Sequence, residues 1–328
     1  MQVVWGRRNF ADLVPRPVAP AVAIGNFDGV HRGHQALVTA ARGLARAPGA
    51  RVGVLTFDPH PTQFFARAQT FPLLLPLPRR LELLGEAGAD FALVERFDAA
   101  LAAMTPEEFV AEVLVAGLGA AHVVIGYDFC FGKKRAGNAA TLTALGARHG
   151  FGVHVVPAIS VDGVAVSSTK VRELLGAGQV AAAAQLLGRP PEISGVVVRG
   201  AGRGRAFGIP TANLAPEVPL GLGTGIYAGR AVLLDRGTES FAAAISVGTN
   251  PTFSPATGTA PVTIEAYLLD YPDEDLYGSH MRLCFVQHLR EERRFESVAA
   301  LRAEIDRDIA RTRALIGHPI GHPIGHGE

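Results

Sequence analysis

The sequence predicts a two-domain protein: an α/β domain built on a parallel sheet with helices on both faces, then a small antiparallel β-barrel with a terminal helix. Three observations predict it. Residues 21–160 alternate short apolar runs with segments of helical spacing, the pattern of strands joined by right-handed helical crossovers. From residue 193 the texture changes to β-rich segments recurring between Gly and Pro, as in a small antiparallel barrel. The 328 residues, 48% hydrophobic and only 19% charged, suffice to bury two cores at roughly 150 residues per domain.

Taken in order, 21–28 (AVAIGNFD) is a continuous apolar run ending at Gly29, a buried strand, and 34–47 has helical spacing. Strands at 52–57 and 91–95 enclose a helix at 79–88. The segment 106–117 reads as a helix opened by Thr105 as N-cap and Pro106 at the first position. Strands at 122–126 and 153–157 flank a helix at 138–149, and two short helices follow at 168–175 and 179–187. The run 188–192 (GRPPE) reads as a linker. Barrel strands are expected at 193–198, 227–234, 241–247, 263–269 and 281–289, then a helix at 296–315 with Val298, Leu301, Ile305 and Ile309 along its apolar face. The expected domains are therefore 1–187 and 188–315. The remaining 316–328, a repeat of Gly-His-Pro-Ile, reads as a disordered tail because Gly and Pro deny its histidines a rigid metal-ligand frame.

Composition narrows the function class. Lys+Arg 31 against Asp+Glu 30 leaves a formal charge of +1, without the basic excess that a broad nucleic-acid footprint needs. Only Lys133, Lys134 and Lys170 among the basic residues are Lys; with the abundant Ala this reads as coding bias. Cys130 and Cys284 lie far apart in the chain, in keeping with a reducing cytoplasm rather than a disulfide framework. The first residues, MQVVWGRRNFADLVPRP, lack a secretory apolar core, and no stretch reaches the 18 or so apolar residues of a membrane span. The expected partners are small molecules, not nucleic acid or membrane. The oligomeric state is left open.

Three constellations carry chemistry. The first, GNFDGVHRGH at 25–34, joins the end of a strand to the start of a helix. His31 and His34, three apart, share a face of the first helical turn, and Gly33 between them lets a ligand approach the backbone. The amides and dipole of that turn favour an anion, and two imidazoles beside it can donate to phosphate oxygens as charge builds. In a chain of this composition H-x-G-H arises by chance about 0.04 times. The second, SSTKVR at 167–172, opens a helix; the hydroxyls can cap it or hold phosphate, and Arg172 can reach a triphosphate. Alone it reads as an ordinary N-cap.

The third lies in the barrel: GRGRAFGIPTANL at 202–214, ISVGTNPTF at 245–253 and IEAYLLD at 264–270. Gly202, Gly204 and Gly208 allow backbone to wrap a phosphate. Thr211 and Asn213 offer neutral oxygens suited to Mg²⁺ when ATP brings the charge, and Glu265 could take the proton of an attacking hydroxyl. A Gly-rich barrel turn with an outward-facing Glu fits the same spacing, and spacing alone does not separate the two.

The pair HRGH and SSTKVR resembles the H-x-G-H nucleotidyltransferase superfamily, whose catalytic domain is Rossmann-like. TFDPHP at 56–61 and GYDFCFG at 126–132 narrow the resemblance to bacterial bifunctional riboflavin kinase/FAD synthetases. It spans about residues 22–313 in the family's order. The resemblance implies that the first domain adenylylates FMN to FAD and releases pyrophosphate, with His31, His34 and Arg172 as catalytic residues. Gly25, Phe27, Asp28, Gly33, His60, Ser167, Ser168 and Thr169 would bind ATP, and Asp128, Phe129 and Phe131 the flavin. It implies that the barrel phosphorylates riboflavin with ATP. There Glu265 would be the base for the ribityl 5′-hydroxyl, Thr211 and Asn213 would hold Mg²⁺, and Gly202, Arg205, Gly208 and Pro210 would line the phosphate and flavin site. The chain departs from the usual pattern at Pro191, where an aromatic is common, at Asn138 for Asp, at Cys130 for a basic residue, and in AFGIPTAN. The alternatives are a single-activity FMN adenylyltransferase whose barrel only binds flavin or a partner, a kinase with a degenerate first domain, and a non-catalytic flavin sensor.

Overall fold

A computed structural model describes residues 1–13, 15, 17–66, 71–200, 209–219, 221–237, 239–249, 262–272 and 274–317. Contacts divide the chain into two compact units, Met1–Ser168 and Thr169–Glu328.

The first unit holds a six-stranded, all-parallel sheet in the order β1-β4-β3-β2-β5-β8. Its strands are β1 (Gln2–Trp5), β2 (Ala21–Ile24), β3 (Val52–Asp58), β4 (Phe91–Arg96), β5 (His122–Gly126) and β8 (Gly152–Val156). Two-residue ladders add β6 (Cys130–Phe131) with β7 (Gly137–Asn138), and β9 (Ser160–Val161) with β10 (Val164–Ala165). The helices are α1 (Arg32–Leu44), α2 (Pro61–Ala66), α3 (Leu77–Glu86), α4 (Ala99–Ala103), α5 (Pro106–Phe109) and α6 (Ala139–His149).

The apolar runs work by alternation. Val22, Ile24, Leu55, Leu93, Val123 and Ile125 face one core with Phe109, Val113, Leu114 and Leu142. Their neighbours Ala21, Ala23, Val54, Ala92, Val94 and Val124 face a second core with Leu37, Val38 and Ala41 of α1 and Leu81 and Leu84 of α3. A strand buried on both faces has no polar side to show, hence the unbroken hydrophobic runs.

Several expectations are refined. The strand β1 was not foreseen; four residues at a sheet edge leave little periodic signal. Thr105 does cap its helix, in a full capping box with Glu108. That helix is not uniform: after Phe109 it widens into a π-helical stretch, Val110–Gly117.

The second unit is a closed antiparallel barrel, β11-β12-β15-β14-β13-β16. It is formed by β11 (Glu192–Val198), β12 (Ala212–Pro216), β13 (Gly225–Leu233), β14 (Glu239–Thr249), β15 (Val262–Leu268) and β16 (His280–Arg290). Five strands were foreseen; the sixth, β12, takes in Ala212 and Asn213 of the Pro-Thr-Ala-Asn motif and runs on to Pro216. It is a strand because both neighbours, β11 and β15, bond to it. The short helices α7 (Ser168–Gly176) and α8 (Val180–Leu187) precede the barrel. The Gly223 amide donates to the Leu175 carbonyl and the Tyr227 hydroxyl to the Gly223 carbonyl. Such contacts keep α7, from Thr169 onward, in the same compact unit as the barrel.

The terminal helix α9 (Val298–Ile316) corrects an expectation. Its buried face is Glu304, Asp308 and Thr312, while Val298 is 58% exposed. The apolar stripe at Leu301, Ile305 and Ile309 lies beside this face, half-buried. Arg290 of β16 meets Asp308 at 2.7 Å, and Arg293 and Arg307 both pair with Glu304. Buried carboxylates are tolerated when each is paired and hydrogen-bonded. The Gly-His-Pro-Ile tail lies outside the described residues, apart from Ile316 and Gly317.

Candidate active sites

In the first unit the expected residues gather at the carboxyl ends of β2, β3 and β5. The strand order reverses at β2, between β3 on one side and β5 on the other, which is where open parallel sheets bind ligands. The chain leaves β2 through Gly25, turns, and enters α1 with His31 as N-cap. The His31 Nδ1 accepts the His34 amide at 3.3 Å, which leaves the ring proton on Nε2. The two imidazoles stack, centroids 3.6 Å apart and 14° from parallel, and the His34 ring stands edge-on to Phe27 at 5.3 Å. Gly33 leaves room for this stack: a Cβ there would lie 3.1 Å from the His31 ring, which would have to shift by a few tenths of an ångström.

Burial holds the His34 imidazole well below its ordinary value, and His31 and Arg80 push the same way. At neutral pH it is an uncharged donor. Its Nδ1 is buried with no hydrogen-bond partner among the described residues.

The turn carries strain. Phe27 and Val30 both adopt positive φ, 51° and 41°, which a β-branched residue such as Val30 avoids; each such position costs about 1–3 kcal/mol unless its surroundings impose it. Here they do. The Asp28 carboxylate, 1% exposed, accepts the amides of Leu74 and Leu75. The Asp28 carbonyl accepts the Ser168 hydroxyl at 2.8 Å. The Val30 carbonyl accepts the Gln35 side chain at 2.9 Å. Asp28 and Ser168, both expected at the nucleotide, also shape the turn through these bonds, and Ser168 ties the second motif to the first.

Sequence reasoning missed Arg80. It is 1% exposed, and its Nη1 donates to the Asn26 carbonyl at 2.7 Å. Burial lowers its guanidinium from the ordinary value against the pull of Asp28 and Asp58. Its signal was present: Arg80 falls on the apolar stripe Leu77, Leu81, Leu84 of α3, where a solvated charge does not belong.

His60 follows β3, caps the Thr62 amide through Nδ1 at 3.1 Å and stacks on Phe71. Asp128 and Phe129 follow β5. Phe131 packs into the first core against Phe109, with Phe129 stacked on it. Ser167, Thr169 and Arg172 flank or lie on the first turns of α7.

In the barrel, Asn213 of β12 pairs with Glu265 of β15, and the Thr211 hydroxyl donates to Glu265 Oε2 at 3.1 Å. Three of the expected residues thus meet, set by strand register. Gly200, also missed, lies against the Asn213 carboxamide so closely that a Cβ would fall 2.2 Å from its Nδ2. Pro210 is exposed beside them. Gly202, Gly204, Arg205 and Gly208 lie outside the described residues. Thr211 and Asn213 offer neutral oxygens that fit Mg²⁺, with the Glu265 carboxylate beside them. No cluster of three His, Cys, Asp or Glu forms a closed cage among the described residues, so phosphate oxygens would complete the shell.

Comparisons with known proteins agree with this division. The family model for FAD synthetase matches residues 15–170, and that for riboflavin kinase matches 187–316. A bifunctional riboflavin kinase/FMN adenylyltransferase from Pseudomonas fluorescens is 39% identical over 96% of this chain and 98% of its own. That of Escherichia coli K12 is 36% identical over 90% and 92%. Among solved structures, a Streptococcus pneumoniae chain described as a macrolide-efflux protein superposes with a TM-score of 0.83 at 28% identity, covering 95% of this chain and 99% of that one. The chain belongs to the bifunctional riboflavin kinase/FMN adenylyltransferase family.

Proposed function

We propose that the barrel converts riboflavin and ATP to FMN, and that the α/β part then joins FMN to the AMP moiety of a second ATP, giving FAD and pyrophosphate. The observation that carries it is that two separate phosphate-type sites are built in one chain: the His31–His34 stack at the helix entrance, and the Thr211–Glu265–Asn213 cluster on paired strands.

In the kinase step Glu265 takes the proton of the ribityl 5′-hydroxyl as it attacks the γ-phosphorus, and the bond to the β-phosphate oxygen breaks to release ADP. Thr211 and Asn213 would hold Mg²⁺, which when bound neutralises phosphate charge. The bond from Thr211 orients the carboxylate. Gly202, Arg205, Gly208 and Pro210 are proposed to line the phosphate and flavin. In the adenylyl step the FMN phosphate attacks the α-phosphorus directly, so no enzyme nucleophile is needed. His31 donates from Nε2, His34 stays neutral, and both oppose charge developing on the phosphate oxygens while α1 adds its dipole. Arg172 is assigned to the triphosphate. Gly25, Phe27, Asp28, Gly33, His60, Ser167, Ser168 and Thr169 are assigned to the nucleotide, and Asp128 and Phe129, with Phe131 behind them, to the flavin.

The working division is 1–187 for adenylylation and 188–315 for phosphorylation. Two free thiols and dependence on ATP support a cytoplasmic location. The efflux description of the S. pneumoniae neighbour gains no support: among the described residues no helix is long and apolar enough to cross a membrane.

The test is a chromatographic time course of riboflavin with excess ATP and Mg²⁺. Riboflavin falls, FMN rises transiently and FAD accumulates. FAD from added FMN with no conversion of riboflavin would reduce the barrel to a binding module, and no turnover of either flavin would overturn the enzyme reading.

A further inference from the structure

Arg80 poses a question that packing does not answer. Its place on α3 is among leucines, and a leucine there would complete the second core. The carbonyl it serves, that of Asn26, already lies within reach of the neutral Thr56 hydroxyl at 3.4 Å. A buried guanidinium is the more demanding choice, and its Nε has no acceptor among the described residues.

The location answers it. Asn26 immediately precedes Phe27, the first of the two non-glycine residues with positive φ in this turn, and the Val30 amide closes the turn onto the Phe27 carbonyl at 3.0 Å. His31 and His34 follow directly. Arg80 therefore grips the turn at the point from which the histidine pair is launched; its charge acts on His34, and those of Asp28 and Asp58 act on it. We infer that Arg80 is a positioning residue for adenylyl transfer: bonded to the Asn26 carbonyl beneath the Gly25–His34 turn, it holds the strained backbone and so aligns the His31–His34 pair. This rests on the reading that the turn performs that reaction. Arg80 is itself too deeply buried to touch substrate.

The consequence is specific. Misalignment of reacting groups by about 1 Å lowers turnover on the order of 100-fold without a matching change in ground-state binding. In Arg80→Met of the full chain, kcat for FAD formation from FMN and ATP should fall about 100-fold, with KM for both substrates within about threefold. Arg80→Lys keeps the charge and a donor, and should recover at least about tenfold of that loss. FMN formation by the barrel should be unchanged in both variants, and thermal melts report whether the first unit is folded.

A folded Arg80→Met with kcat within threefold of the parent overturns the inference. So does a loss confined to KM for ATP, which would make Arg80 a binding element, or a Lys variant no faster than the Met variant. If Arg80→Met fails to fold, Arg80→Gln replaces it, and a Lys variant no more than threefold faster than the Gln variant overturns the inference. A parent chain that makes FMN but no FAD overturns the adenylyltransferase reading itself, and the inference with it.

Discussion

Replacing Glu265 by Gln separates a catalytic carboxylate from a structural one. Gln has the same length and keeps an oxygen to accept the Thr211 hydroxyl, so the 3.1 Å bond and the pairing of β15 with Asn213 and Ser246 can persist. Glu265 is half-buried and makes no ion pair among the described residues, so no buried cation is stranded. The expected stability change is accordingly small, within about 0.5 kcal/mol. The chemistry changes more. A general base contributes about 10²–10⁴ in rate, or about 2.7–5.4 kcal/mol of barrier. Riboflavin phosphorylation should therefore fall by that factor, while FAD formation from supplied FMN continues unchanged. Separate chromatographic assays from riboflavin and from FMN measure both in one preparation. FMN production within tenfold of the parent would refute the assignment of Glu265 as base. Equal loss of both activities would show that the substitution acts through the fold.

Three further outcomes follow from the geometry. His34→Gln should cut FAD formation about 100-fold, as loss of one preorganised donor does, and leave FMN formation intact; the same two assays check it. Gly200→Ala should displace the Asn213 carboxamide, since the added Cβ meets that flexible side chain and not backbone. It should raise the Mg²⁺ concentration needed for half-maximal kinase activity while barely moving the melting temperature. Because His34 is held below its ordinary value of 6.5, and His154 is lowered as well, the unfolded chain binds protons there that the folded chain does not. Stability should therefore fall as pH drops below about 6.5, by at most about 1.4 kcal/mol per pH unit from His34, with a smaller, solvent-screened part from His154. Melts of the parent and of His34→Gln at pH 7.5 and 5.5 test this, the variant losing part of the dependence.

The fold was legible where a residue's neighbours in sequence decide its environment. The parallel strands announce themselves because both faces are buried, and the caps of Thr105, Asn138 and Ser297 lie within three residues of the amides they serve. What stayed hidden depends on partners far along the chain. β12 is a strand because of β11 and β15, not because of its own Pro-flanked sequence. Glu304 and Asp308 read as solvent-facing charges until Arg290, on β16, is placed beside them. The sites divide in the same way. The histidine pair was readable because three residues span one helical turn, whereas Arg80 and Gly200 act on residues 54 and 13 positions away.

The two sites are held by different means, and that predicts how each fails. Thr211, Asn213 and Glu265 are fixed by the register of a closed barrel, in which β12 is bonded on both sides. Slipping one strand would break pairings all round the ring, so the backbone beneath this site is not adjusted locally. Side-chain changes there should alter chemistry while leaving the scaffold in place. The His31–His34 turn has no ladder beneath it. Arg80, Asp28, Ser168 and Gln35 bond its strained backbone from several directions, and removal of one loosens the helix entrance. Substitutions among these supports should therefore reduce FAD formation even though some of them touch no nucleotide. FAD formation should also be lost before FMN formation as the chain is destabilised by acid, since His34 and His154, both held below their ordinary value, lie in the first unit.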